Sequence, residues 1–251
     1  MPLYVAKDSS GNRQPITSRP EVGRGPNGNG MVVLFGTGKF LEESADKLAT
    51  QTTQSFYGIY DPNSGASDAF TGRTALGAQT IDSEQTITVA GKSFSVRLTS
   101  NGPPGTRGWY MDLVSPAPTG FQGERVVSNP LLRNGRIIFT TLIPDVDPCG
   151  FGGDSWLMEL DAITGARLSE SPFDLNRDGK FDSNDFVPGT PPLPPSGMKS
   201  EVGITPEPGV LTDPQRGIEY KYMPGTTGNI QMIGENPGAG NVGRQSWRQI
   251  R

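Results

Sequence analysis

Two apolar segments a hundred residues apart end alike. "FYGIYDPNSG" and "LMELDAITG" each run hydrophobic residues into an aspartate, Asp61 or Asp161, and close on Ser-Gly or Thr-Gly. An aspartate at such a place accepts the N–H groups of its own turn, and the glycine supplies positive φ, so each segment reads as a strand that stops abruptly. Hairpin signals lie between them. "QTITVAGKSFSVRLTS" alternates on either side of Ala90-Gly91, and Asn134-Gly135 separates the apolar runs of "VVSNPLLRNGRIIFTTLIP", the strongest short hairpin signal. Strand, aspartate turn and hairpin in recurrence are the pattern of radially repeated sheets such as propeller blades. The competing reading is a sandwich whose ordinary turns carry the same capping residues.

Composition agrees with strands. The 251 residues include 34 Gly and 23 Pro, which starves long helices and feeds turns, while the length suffices to bury a core. Further strands are expected at "MVVLFGTGKF" and "TRGWYMDLV", with one or two more in "IEYKYMPGTTGNIQMIGENPGAGNVGRQSWRQIR" and Trp247 as an anchor. The best helix candidate is "LEESADKLATQTTQ", from residue 41. Residues 1–30 read as an entering strand and a long, poorly defined loop. The seven prolines of "VPGTPPLPPSGMKSEVGITPEPGV" predict an extended, stiff crossover with neither helix nor central strand.

Several function classes fall away. With no histidine, the chain lacks the commonest general base and transition-metal ligand, and every Ser/His or Cys/His nucleophile pair. Its single cysteine, Cys149, permits no internal disulfide. A net charge of −4 without a basic run gives no support to a nucleic-acid groove, and no apolar stretch is long enough for membrane insertion. "FGTGKF" has Val33 and Phe40 where a phosphate loop needs glycine and Ser/Thr, and "GRGPNGNG" lacks the flanking strand and helix of a dinucleotide site. Glu42 with Glu43, and Glu159 with Asp161, are carboxylate pairs expected on a solvated face or capping a turn. Trp109, Tyr110, Trp156 and Trp247 are expected to pack in the core or between blades.

One segment carries positive chemistry. In "DLNRDGKFDSND", oxygen side chains stand at loop positions 1, 3, 5, 9 and 12 (Asp174, Asn176, Asp178, Asp182 and Asp185), with Gly179 at position 6. That is the register of an EF-type calcium loop: a hard dication takes six to eight oxygens, alternate residues of a tight loop point inward, and the glycine bend turns the Lys180 carbonyl to the metal. Phe181 is expected to pin the loop to the core. At position 12, the short arm of Asp185 gives one oxygen, one through water, or none, and Asp182 is itself able to close the site. Prolines on both sides deny the loop its two helices, so this is a solitary calcium loop between strands. An unpaired site of this kind suggests affinity in the range of about 10⁻⁶ to 10⁻³ M.

With "VVLFGTGKFLEES", "QSFYGIYDPNSG", "DPCGFGGDSWLMELDAITGARL", the calcium loop, "SGMKSEVGITPEPGVL" and "GRQSWRQI" in this order, the chain resembles the C-terminal domain of PilY-type type IV pilus biogenesis proteins over most of residues 31–251. The resemblance implies an all-β, partial or modified β-propeller with quinoprotein-like blades, the last few of a longer chain. It implies a non-enzymatic role in pilus assembly, adhesion and twitching motility, with calcium occupancy governing extension against retraction. Asp174, Asn176, Asp178, the Lys180 carbonyl and Asp182 fall on the family's ligand positions, with Ca2+ as the bound ion. Implied partners are minor or major pilins and host or abiotic surfaces, at an extracellular or cell-surface, pilus-associated location reached through the periplasm. A quinoprotein-like propeller enzyme and a calcium-stiffened surface module outside pili are the alternatives.

Overall fold

Three antiparallel-rich sheets stack in sequence in the computed structural model, which describes residues 2–40, 52–65, 68–145 and 152–238. The candidate helix from residue 41, Glu42, Glu43, Cys149 and Trp247 lie outside the described residues. The first sheet holds β1 (Glu21–Arg24), β2 (Met31–Gly36), β3 (Ser55–Asp61), β4 (Gly77–Gln79) and β7 (Gly108–Asp112), in the order β1-β2-β3-β7-β4. The second holds β5 (Ile81–Val89), β6 (Lys92–Thr99), β8 (Leu131–Arg133), β9 (Arg136–Thr140), β12 (Trp156–Asp161) and β13 (Gly197–Lys199), in the order β5-β6-β13-β12-β9-β8. A short pair, β10 (Ile143–Pro144) and β11 (Gly153–Asp154), precedes β12. The third sheet is the meander of β14 (Gly209–Asp213), β15 (Ile218–Pro224) and β16 (Ile230–Glu235).

The turn chemistry in the sequence sets these strands. Ala90 and Gly91 both take positive φ (49° and 79°) between β5 and β6, as do Asn134 and Gly135 (48° and 80°) between β8 and β9, which is the two-residue hairpin geometry. After β3, Asp61 accepts the Asn63 N–H. After β12, Asp161 accepts the N–H groups of Ile163 and Thr164, so the recurring aspartates are turn caps.

Central strands such as β3 and β9 are apolar on both faces because the first and second sheets are covered on both sides. Phe56, Trp109 and Met111 of the first sheet meet Phe139, Trp156 and Met158 of the second in one cluster, with Phe56 and Phe139 stacked at 4.0 Å. The Trp109 indole N–H donates to the Ala162 carbonyl. The opposite face of the second sheet, through Phe94, Val96, Leu157 and Met198, packs on Met223 and Ile233 of the third.

Two expectations about the sheets differ from the structure. The Pro-rich stretch does contain a central strand: β13 pairs with both β6 and β12. No proline falls between Pro195 and Pro206, so Gly197, Met198 and Lys199 retain the N–H groups a central strand needs. Glu159 is not on a solvated face; it is buried and ion-paired with Arg136 and Lys221.

Candidate metal loop and its setting

Residues 174–185 connect the end of β12 to β13 and dock on the third sheet. The entering limb pairs with β16: Phe173 bridges Glu235, the Asp174 N–H donates to the Gly234 carbonyl at 2.9 Å, and the Asn236 N–H donates to the Pro172 carbonyl. Leu175 and Phe173 are buried in the cluster between the second and third sheets. They anchor the loop, whereas Phe181, expected in that role, is only half-buried. Position 2 faces the core because its neighbours at positions 1 and 3 turn their oxygens into the loop.

The loop is wound by its own carboxylates. Asp174 accepts the N–H of Asp178 on Oδ1 and that of Gly179 on Oδ2, both at 3.1 Å. Asn176 Oδ1 also accepts from Asp178, at 2.9 Å, and Asp178 Oδ1 accepts from Lys180, at 2.8 Å. Arg177 and Gly179 take positive φ of 61° and 78°, which folds positions 4 to 6 back on position 1. Asp182 caps a single 3-10 turn, Ser183–Asp185, by accepting the Asn184 N–H. No flanking α-helix is present among the described residues.

Asp185 closes the loop from below. Its Oδ1 accepts the N–H groups of Leu175 and Asn176, at 2.7 and 3.2 Å. Its side chain is fully buried, and Oδ2 has no hydrogen-bond partner. Burial pushes the Asp185 carboxyl up to about 6, against the two N–H donors, with the charge of Asp174 adding to the rise. Burial raises Asp174 as well. A buried carboxylate oxygen facing nothing is costly, and a cation is the partner that hard oxygens at positions 1, 3 and 5 are spaced to share. The residues therefore fit a calcium ion. Among the described residues no three acidic side chains already converge closely enough to hold a metal by themselves. Sequence reasoning left Asp185 open, and only its burial, invisible in the register, brings it forward.

Comparison with known proteins accords with this fold. A family model described as the PilY1 beta-propeller domain matches residues 1–94. The type IV pilus biogenesis factor PilY1 of Pseudomonas aeruginosa strain PAO1 is 31% identical over 99% of this chain. A PilY1 homolog of Xylella fastidiosa is 33% identical over 99%. The crystal structure of the P. aeruginosa PilY1 C-terminal domain superposes with a TM-score of 0.79 at 27% identity, over 95% of this chain and 48% of that one.

The chain belongs to the PilY1 β-propeller family.

The stacked sheets are accordingly propeller blades, all-β as the turn pattern predicts. The chain covers 22% of the PAO1 relative and 19% of the X. fastidiosa homolog, about a fifth of the length of each. No helix among the described residues is long and apolar enough to cross a membrane.

Proposed function

We propose that this propeller segment serves type IV pilus biogenesis as a non-enzymatic, calcium-binding module, at the cell surface or on the pilus, in contact with pilin subunits. The relatives are named pilus biogenesis factors, and the observation that carries the metal reading is the buried, half-unpartnered Asp185 carboxylate beneath the oxygen ladder of Asp174, Asn176 and Asp178. Asp174, Asn176, Asp178, the Lys180 carbonyl and Asp182 hold the ion, with Asp185 Oδ2 as a further oxygen. Bound calcium would neutralise the crowded carboxylates and cross-link the two limbs of the loop.

The entering limb pairs with β16, so ordering the loop orders the edge of the third sheet. A metal that binds the closed loop and not the open one shifts the balance between two surfaces presented to the pilus machinery. That balance is the physical basis we assign to calcium-dependent extension, retraction and twitching, and to contact with host or abiotic surfaces.

The test is thermal unfolding with and without calcium. At about a hundredfold excess over the dissociation constant, binding adds about 2.7 kcal/mol, a clear rise in Tm. Asp178→Ala should abolish that rise and leave the chelated protein little changed, since Asp178 is exposed. An undiminished calcium shift in this variant would falsify the site.

A further inference from the structure

Three buried side chains meet where the second and third sheets pack: Lys221, Glu235 and Glu159. Lys221 on β15 pairs with Ile233 of β16, and Glu235 stands two residues further along β16. The two side chains are therefore diagonal neighbours on the buried face of the third sheet, within reach of long side chains. Lys221 is 1% exposed and both glutamates are fully buried, with the Lys221 nitrogen against the Glu235 carboxyl. Glu159, reaching in from the second sheet, accepts a hydrogen bond from the same nitrogen. Glu219, on the same face of β15, is paired with Arg133 instead.

The two glutamates that touch Lys221 are not equivalent. Glu159 is also held by Arg136, at 3.1 Å, which fixes its place beside the lysine. Neither oxygen of Glu235 has a hydrogen-bond partner, and Lys221 is the one cation paired with it among the described residues. A buried ion pair so poorly supported by further hydrogen bonds is costly, and moving one proton from Lys221 to Glu235 replaces it with a neutral amine and a neutral acid. Burial pushes the Lys221 ammonium below the usual lysine range, in the direction of that transfer. A desolvated amine is a nucleophile. An acyl carbon held beside it in a buried core supplies proximity, and burial protects the product from hydrolysis.

We propose that Lys221 and Glu235 condense into an amide cross-link between β15 and β16, with Glu159 as the proton carrier. The Lys221 Nζ lone pair attacks Glu235 Cδ and forms the C–N bond. Glu159 takes a proton from the nitrogen and passes it to the carboxyl hydroxyl, whose C–O bond breaks, and one water leaves. An ammonium and a carboxylate thus become a neutral amide and water, Glu159 returns to its starting state, and no oxidant, metal or cofactor enters the balance. The step occurs once per chain, so it modifies the protein without making it an enzyme. Its product ties β16, on which the entering limb of the 174–185 loop pairs, covalently to β15.

Mass spectrometry of the purified 251-residue chain, folded, incubated and then denatured, is the test. The chain should be lighter than its sequence by one water, and digestion should release a branched peptide that joins the Lys221 and Glu235 segments. Lys221→Met should restore the full mass, and so should Lys221→Arg, which keeps the charge and offers no amine to react. Glu235→Gln keeps an acyl carbon with ammonia as the leaving group, so it should lose one ammonia in place of one water. Glu159→Gln, shown to be folded by circular dichroism, should slow the loss by about a hundredfold; an unchanged rate overturns its part as proton carrier. A wild-type chain that keeps its full mass through prolonged incubation overturns the cross-link. So does a mass deficit that survives Lys221→Met, since it then belongs to a cyclised aspartyl or asparaginyl residue elsewhere.

Discussion

Asp185 shows how little of a residue's role lies in its place in a motif. In register it is the twelfth loop position with too short an arm. In the fold it is fully buried, holds two backbone N–H groups on Oδ1, and leaves Oδ2 without a partner. Without a bound cation the carboxyl, pushed up to about 6 by burial, is ionised at neutral pH at a cost to the fold. Its folded value lies above the unfolded one, so the stability it contributes is present at low pH and lost as pH rises through about 6. Asp185→Asn keeps one acceptor oxygen and removes the charge. In chelator at pH 7 this variant should melt higher than the parent, and its calcium-induced rise in Tm should shrink. A lower melting temperature in chelator together with an intact calcium shift would show that Asp185 is only a structural cap.

Turns, more than strands, make the elements legible. Ala90-Gly91, Asn134-Gly135 and the two aspartate turns all appear where their residue types predict, because each motif settles its backbone with atoms no more than a few residues away. The turn after β12 also shows local chemistry meeting tertiary packing. Gly165 takes φ of 70°, and a methyl group there would fall 2.2 Å from Trp109 Cδ2. Gly165→Ala therefore combines left-handed strain with overpacking against a buried indole, and should cost about 2–4 kcal/mol; urea unfolding measures it. The strand after the prolines was not legible. Three residues, Gly197 to Lys199, are too few for periodicity, and their place in the centre of a sheet depends on β6 and β12 closing around them.

Between blades the molecule uses charge as well as apolar surface. Lys221 of the third sheet is buried between Glu159 of the second and Glu235 of its own, while Arg136 pairs with Glu159 and Arg133 with Glu219. Burial pushes the Lys221 ammonium below the usual lysine range, opposed by the attraction of Glu159. Removing it strands the buried Glu235 carboxylate and leaves Glu159 with Arg136 alone, so Lys221→Met should cost about 3–5 kcal/mol, while adding Glu235→Gln should recover part of that loss in the same unfolding assay. The first two sheets are tied differently, by the Tyr60 hydroxyl donating to the Ile163 carbonyl at 2.6 Å. Burial, with Asp161 nearby, raises the Tyr60 phenol to about 12. Because the folded value is the higher one, its stabilisation is complete below about pH 10 and lost between about 10 and 12. Tyr60→Phe should be weaker by about 1 kcal/mol at pH 7, yet show a shallower alkaline loss of Tm.

The sequence by itself determined the all-β class, the hairpins, the aspartate turns and the oxygen ladder of "DLNRDGKFDSND", because each rests on short-range backbone chemistry. Tertiary structure decided what needs distant residues: the pairing of β13, the buried ions Arg97, Glu124, Glu159 and Lys221, and the anchoring of the loop by Leu175 and its pairing with β16. Opposite charges far apart in a chain give no periodic signal, and whether a carboxylate is solvated or buried depends on which sheet folds over it. For the same reason the oxygen register of the loop could be read from its spacing, while a cavity beside it, walled by β6, β13, β15 and β16, exists only once the sheets are stacked.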